Sequence, residues 1–208
     1  MDVVIYGAGG MGREIYDTLL SLNLRAPTFD LIGYADDNAV KGAVVNGVPV
    51  LGGPEILNGM SGKVGLILGM SNPAVRKMLH QRYRESFALP SIIHPTAIIS
   101  SFATLGEGVL IQSNCVVAAN AKVGNCVMMN AHSGVGHDAQ ISDYCSIMSY
   151  CDIAGASVLG ELSFVGTGAK IIPSISIAAG SYICAGSIVF KEVLTQSKLM
   201  GNPAKIIG

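Results

Sequence analysis

Basic charge is scarce in this chain. The 208 residues carry 13 Lys and Arg against 14 Asp and Glu, a formal net charge of −1, so no cationic field draws in phosphate backbones or anionic lipid. Nucleic acid and membrane surfaces are therefore not expected as partners. No apolar run approaches the roughly 18 residues of a membrane span, and the opening Met1-Asp2-Val3-Val4-Ile5-Tyr6-Gly7 lacks the basic segment and longer apolar stretch of a secretory signal. A cytoplasmic location is expected. Paired cysteines are missing too. Cys115, Cys126, Cys145, Cys151 and Cys184 are odd in number and form no CxxC pair, which argues against a zinc knuckle or a closed disulfide set and for reduced thiols used as small core residues. What is abundant is apolar character: 50% of the residues are hydrophobic, enough for a substantial core in one large domain or two small ones.

Two regions differ in period. In the first, Val3-Val4-Ile5-Tyr6 reads as a buried strand running into Gly7-Ala8-Gly9-Gly10-Met11-Gly12 and then a helix from about Gly10 to Leu22. Leu31-Ile32-Gly33-Tyr34 and Val64-Gly65-Leu66-Ile67-Leu68 read as further strands, the latter entering a helix near Pro73 to Tyr83. Alternation of β and α elements predicts a small parallel sheet flanked by helices over residues 1–86. From Ile93 onward every sixth residue is aliphatic, through Ile99, Leu105, Ile111, Val117 and so on to Ile183 and Val189, and four residues after most of these sits Ala, Cys or Ser. That period suits neither a helix nor a hairpin sheet. It suits a coil of three short strands whose aliphatic side chains stack inside a narrow prism over residues 87–208, with three hexads per turn and a height of roughly 27 Å at the spacing of neighbouring strands.

Three groups of residues carry chemistry. Proton abstraction at neutral pH needs a base, a role for which histidine is suited, and His137 is followed directly by Asp138, a carboxylate that can fix its tautomer. Consecutive strand residues point to opposite faces, so the pair can cooperate only at a prism corner or a distorted strand. His132, five residues earlier, gives a spacing similar to that of the hexapeptide-repeat carbonic anhydrases with their three-histidine zinc. The third ligand is lacking, because the interval from His94 to His132 is not a whole number of hexads, and His94 therefore points elsewhere. No metal is expected. Gly7-Ala8-Gly9-Gly10-Met11-Gly12 satisfies G-x-G-x-x-G between a strand and a helix, where backbone N–H groups and the helix dipole favour a phosphate or pyrophosphate. Asp36 and Asp37 follow about 24 residues later, where an acidic residue commonly meets a ribose hydroxyl. Alone, this constellation reads as NAD binding.

The whole chain resembles the sialic-acid O-acetyltransferases and bacillosamine (UDP-4-amino-sugar) N-acetyltransferases. The resemblance rests on Tyr6 to Gly12, Asp36-Asp37, His94-Pro95-Thr96-Ala97, Gly136-His137-Asp138 and Gly201-Asn202-Pro203-Ala204-Lys205. It implies a Rossmann-like α/β domain followed by a left-handed parallel β-helix, His137 as general base with Asp138 in support, and acetyl-CoA as co-substrate. It also implies a nucleotide-sugar, expected to be a UDP-linked amino sugar, held by Gly9, Gly10, Met11, Gly12, Asp36, Asp37 and Gly69. The acyl donor is expected along Ser146, Gly155, Thr167, Ala185 and Lys205 of a homotrimer, with Ser146 standing where relatives can carry a second histidine. Met148-Ser149-Tyr150-Cys151 and Ala178-Ala179-Gly180 depart from the family's corner sequences; Tyr150 is expected to reshape the acceptor mouth, and an altered local coil is expected at Ala178-Ala179-Gly180. The rival readings are sialic-acid O-acetylation, an NAD-dependent oxidoreductase that leaves the prism idle, and a catalytically silent nucleotide-sugar-binding scaffold.

Overall fold

The computed structural model describes residues 1–207. By internal contacts it divides into two compact units, Met1–Pro95 and Thr96–Gly208. By contacts segment 87–95 clusters with the first unit, and it carries a two-residue strand, Ile92–Ile93, at the same six-residue register as the strands that follow. Beyond the second helix the chain returns to the sheet, where the Leu66 N–H donates to the Ala88 carbonyl at 2.9 Å.

The first unit is built from β1 (Asp2–Tyr6), α1 (Gly10–Asn23), β2 (Asp30–Ala35), β3 (Val44–Val45), β4 (Val48–Gly52), β5 (Gly65–Leu68) and α2 (Pro73–Tyr83). The sheet order is β3-β4-β2-β1-β5, with β1 parallel to both β2 and β5. The central strand is buried on both faces, Val3, Val4 and Ile5 alike, which is why it reads as a continuous apolar run without alternation. α2 starts where Asn72 accepts the Ala74 and Val75 N–H groups ahead of Pro73, a capping arrangement that fixes the helix start. The β3–β4 hairpin is absent from the sequence expectations. Its Asn46-Gly47 turn has φ of 49° and 83°, the two left-handed positions that an Asn-Gly hairpin favours.

In the second unit, two-residue strands recur at every hexad from Ile98–Ile99 to Ile188–Val189. Each pairs in parallel with the strand one full turn of the coil away, as in Val116↔Gly134 and Gly134↔Asp152, so three sheets form the faces of a prism. The second residue of each strand points inward: Met129, Ile147, Ile153, Leu159 and Val165 have no exposed surface. Between strands the chain turns a corner, and at fourteen successive corners, every sixth residue from Gly108 to Gly186, φ is positive. Asn114, Asn120 and Asp138 suit that conformation, whereas Tyr144, Ala156 and Leu162 occupy it at roughly 1–2 kcal/mol each. The inter-coil backbone ladder holds them there. Tyr150 and Gly180 have φ of 61° and 70°, so the two departing corner sequences keep the regular coil.

The small interior row does more than save space. Cys115 Sγ donates to the Asn130 carbonyl at 3.1 Å, Ser133 Oγ to Met148 at 2.7 Å, Cys151 Sγ to Gly166 at 3.1 Å and Ser157 Oγ to Ile172 at 3.0 Å. Each joins a residue to the carbonyl fifteen positions on, stitching adjacent coils from inside. All five cysteines are free and buried, and burial pushes the Cys151 thiol up to about 11.

Candidate active site

Strand Gly134–Val135 delivers the chain to a corner at His137-Asp138. Gly136 must be glycine there, since a Cβ would come within 2.5 Å of the Gly155 nitrogen on the next coil. Asp138 has φ 60°, which removes the opposed side-chain directions of a strand and lets the short aspartate reach its neighbour. His137 Nδ1 and Asp138 Oδ2 are 2.8 Å apart, with both side chains more than half exposed. The second carboxylate oxygen, Oδ1, accepts from Asn120 Nδ2 at 3.1 Å. These two hydrogen bonds, His137 first, hold the Asp138 carboxyl below the ordinary aspartate range. An ionised acceptor at Nδ1 assigns the ring proton to Nδ1 and leaves the Nε2 lone pair free. Nε2 faces Gly155, where an added Cβ would stand 2.6 Å from it.

The residues expected at the acyl donor separate. Gly155 lies directly over His137, on an edge traced by Asp138 N–H to Ala119 O and Ala156 N–H to His137 O. Thr167 and Ala185 are both exposed on another edge, traced by Tyr150 N–H to Ala131 O and Gly186 N–H to Thr167 O. One face of the prism separates the two edges. Ser146 is completely buried in strand Ser146–Ile147, so in the isolated chain it has no surface to offer a donor. Lys205 is exposed in a C-terminal hairpin, paired with Met200. His132 stacks on Tyr150 with ring centroids 4.8 Å apart and planes within 4°. His94 belongs to the first unit, where burial and then the Arg25 charge lower its affinity for a proton.

In the first unit the expected acceptor residues divide by role. Gly7, Asp36 and Gly69 follow the C-terminal ends of β1, β2 and β5, the usual ligand edge of a parallel sheet. Gly12 and Gly69 are glycines for packing: a Cβ on Gly12 would collide with the Gly7 carbonyl, and one on Gly69 would meet Ile5 Cγ2 at 2.8 Å and Tyr6 O at 3.0 Å. Gly9 and Gly10 are exposed, with no protein atom nearer than 4.0 Å to an added Cβ, and Met11 beside them is half-buried. They open α1, whose first turn has no acidic residue and no side-chain cap, so its positive end is available to an anion. Asp36 is mainly a brace for this loop, with Oδ2 accepting from Ala8 N–H at 2.8 Å and Oδ1 from Asn38 and Ala39 at 2.8 and 3.0 Å. Desolvation opposes its ionisation, but the three donors prevail and lower its affinity for a proton. Asp37 is exposed and accepts from the Tyr6 hydroxyl at 2.8 Å; burial and then this bond push the Tyr6 phenol up.

Asn120 and Tyr6 were not among the expected site residues. Asn120 stands one full coil before Asp138, so the repeat arithmetic could have found it. Nothing in the spacing marks Tyr6.

Transfer of an acyl group to an amine or hydroxyl requires a proton acceptor at the nucleophile, and this prism presents one as a free imidazole nitrogen on its edge. The class is a hexapeptide-repeat acyltransferase. Residues 2–83 match the family described as the PglD N-terminal domain. The GDP-perosamine N-acetyltransferase of Escherichia coli O157:H7 is 29% identical over 97% of this chain and 94% of its own. A crystal structure of a perosamine N-acetyltransferase variant from Caulobacter crescentus, in complex with CoA and GDP-perosamine, superposes with a TM-score of 0.92 at 28% identity, covering 100% of this chain and 97% of that one. The acetyltransferase domain of PglB from Neisseria gonorrhoeae, in complex with acetyl coenzyme A, also gives 0.92, at 27% identity over 99% and 98%. Along almost its whole length the chain is similar to hexapeptide-repeat sugar acetyltransferases. Its β-helix is left-handed, because a coil of the opposite hand would not superpose along its length.

Proposed function

We propose that this protein transfers the acetyl group of acetyl-CoA to the amine of a nucleotide-linked sugar in bacterial surface-glycan biosynthesis. The observation that carries the reading is the His137 imidazole, tied at Nδ1 to Asp138 and free at Nε2. The sugar amine attacks the thioester carbonyl and gives its proton to Nε2 as the C–N bond forms. Asp138 stabilises the resulting imidazolium, and backbone N–H donors stabilise the oxyanion. Collapse of the adduct breaks the C–S bond, and the departing thiolate takes the proton back from His137.

The nucleotide end of the acceptor is assigned to residues 1–86, at Gly9, Gly10, Met11 and Asp37, with Gly12, Gly69 and Asp36 shaping the loop that holds it. The chemistry is assigned to 87–208. The sequence resemblance favoured UDP, whereas relatives named above act on or bind a GDP-sugar, so both nucleotides belong in the test. The acyl donor is assigned to Gly155, Thr167, Ala185 and Lys205. Because Gly155 and Thr167 lie on different prism edges, one groove containing both requires a second copy, which favours a homotrimer with donor sites between subunits. The compartment is the cytoplasm, which supplies acetyl-CoA and keeps the five thiols reduced.

A thiol-release assay with acetyl-CoA against UDP- and GDP-linked amino sugars and free sialic acid tests the reading. The nucleotide-linked amines are expected to turn over, and His137→Ala to lose about 10²- to 10⁴-fold in kcat. Full activity in His137→Ala would sink the mechanism.

A further inference from the structure

Asp138 has two carboxylate oxygens and two partners. Oδ2 meets His137 Nδ1 at 2.8 Å, and Oδ1 accepts from Asn120 Nδ2 at 3.1 Å. A carboxylate bound through one oxygen only is free to turn, since its terminal torsion has broad, roughly two-fold wells. Turning would exchange the oxygens and lengthen the contact to the imidazole. The Asn120 amide, reaching from the neighbouring coil, fixes the carboxylate plane so that one oxygen stays on Nδ1.

The positions of the three residues are locked by the coil. Asn120 and Asp138 occupy the same corner on successive turns, both at φ 60°, and the Asp138 N–H donates to the Ala119 carbonyl at 3.0 Å. Asparagine suits a left-handed corner for backbone reasons alone, but that preference does not require its amide to point along the edge at Asp138. Asn120 and both members of the dyad are solvent-exposed, where a single hydrogen bond contributes little to stability. Its consequence therefore falls on the orientation of the base.

We infer that Asn120 is a positioning residue for acyl transfer, acting on His137 through Asp138 and touching neither substrate. The inference rests on the assignment of His137 as the base. Deprotonation by Nε2 requires the tautomer with the proton on Nδ1, and that tautomer persists only while an ionised oxygen remains in place. Asn120 secures the oxygen, the oxygen secures the tautomer, and the tautomer supplies the base.

Two substitutions separate this role from a structural one. Asn120→Gly removes the amide yet suits positive φ, so the corner carries no new strain. Asn120→Asp keeps size and corner tolerance but replaces a donor with a second carboxylate. With acetyl-CoA and the acceptor found in the screen, Asn120→Gly is expected to lower kcat about tenfold and to leave KM for acetyl-CoA within about twofold of the parent. In an Asp138→Gly background the same change should have almost no effect, because its only route to His137 is gone. Asn120→Asp is expected to move the acidic limb of the kcat/KM profile to higher pH, since added negative charge favours the imidazolium. Equal losses from Asn120→Gly in both backgrounds, or an unaltered kcat and pH profile, would overturn the inference. Full activity of His137→Ala would instead overturn the assignment of the base.

Discussion

One methyl group at Gly155 would stand 2.6 Å from His137 Nε2 and 2.8 Å from Cε1. The Gly155 φ lies outside the left-handed region, so alanine suits the backbone and only the imidazole must move. Gly155→Ala is expected to remain folded, with an unaltered circular dichroism spectrum, and to lose at least tenfold in kcat, as a displacement of about 1 Å in a catalytic group commonly produces. Native-like turnover would show that the ring has room elsewhere. Gly155 was expected at the acyl donor from the family resemblance; its clearest structural duty is to leave space for the base. Gly12 and Gly69 teach a related lesson. Gly12 completes a phosphate-binding spacing and Gly69 is implied at the same pocket by the resemblance, but close contacts with Gly7, Ile5 and Tyr6 account for their lack of side chains, and the exposed Gly9 and Gly10 are left free to face an anion.

At the scale of the element, a two-residue strand is too short to stand alone, and the prism depends on what joins its coils. Backbone bonds supply one connection and the interior Cys/Ser row a second. Cys151 Sγ reaches the Gly166 carbonyl at 3.1 Å. Replacing Cys151 with Ser, the residue type found at equivalent positions 133 and 157, should keep the donor and change stability by less than about 1 kcal/mol. Alanine should lose about 1 kcal/mol with the hydrogen bond, and valine about 1–3 kcal/mol through overpacking. Thermal or urea unfolding of the three variants checks that order, and alanine matching serine would remove the hydrogen bond from the account. The row's smallness was legible from the sequence, but its bonding was not, because a donor's partner depends on where a carbonyl on the next coil points. The Asn46-Gly47 hairpin turn is legible in the sequence as an Asn-Gly pair between apolar residues.

For the whole molecule, the relevant feature is an apolar strip beside the dyad. Phe102, Ile98 and Val116 are 74%, 66% and 42% exposed, and Phe102 shares the edge of Asn120 and Asp138, one full coil separating each from the next. Large exposed apolar groups in one place commonly mark an association surface, and the proposed shared donor site requires a second copy to set its own Thr167 and Ala185 edge beside His137. Phe102→Asp combined with Ile98→Asp is expected to convert a trimer to folded monomers in analytical ultracentrifugation and to depress kcat in parallel. A parent protein that sediments as a monomer would refute the shared donor site.

The sequence by itself determined the coil, because a six-residue aliphatic period with small intervening residues has one compact solution. It also determined which residues share an edge, through the three-hexad turn, and placed His137 beside Asp138. Only the tertiary structure decided that the two meet, because at a corner the direction of a side chain follows the sign of φ, and left-handed conformations at residues such as Tyr150 and Leu162 are imposed by the ladder against local preference. It also decided that the Asn120 amide, on an edge the repeat already shares with Asp138, turns along that edge to meet the carboxylate. The repeat encodes which residues stack, but the direction of each side chain at a corner depends on how the backbones pack, and no local pattern encodes that.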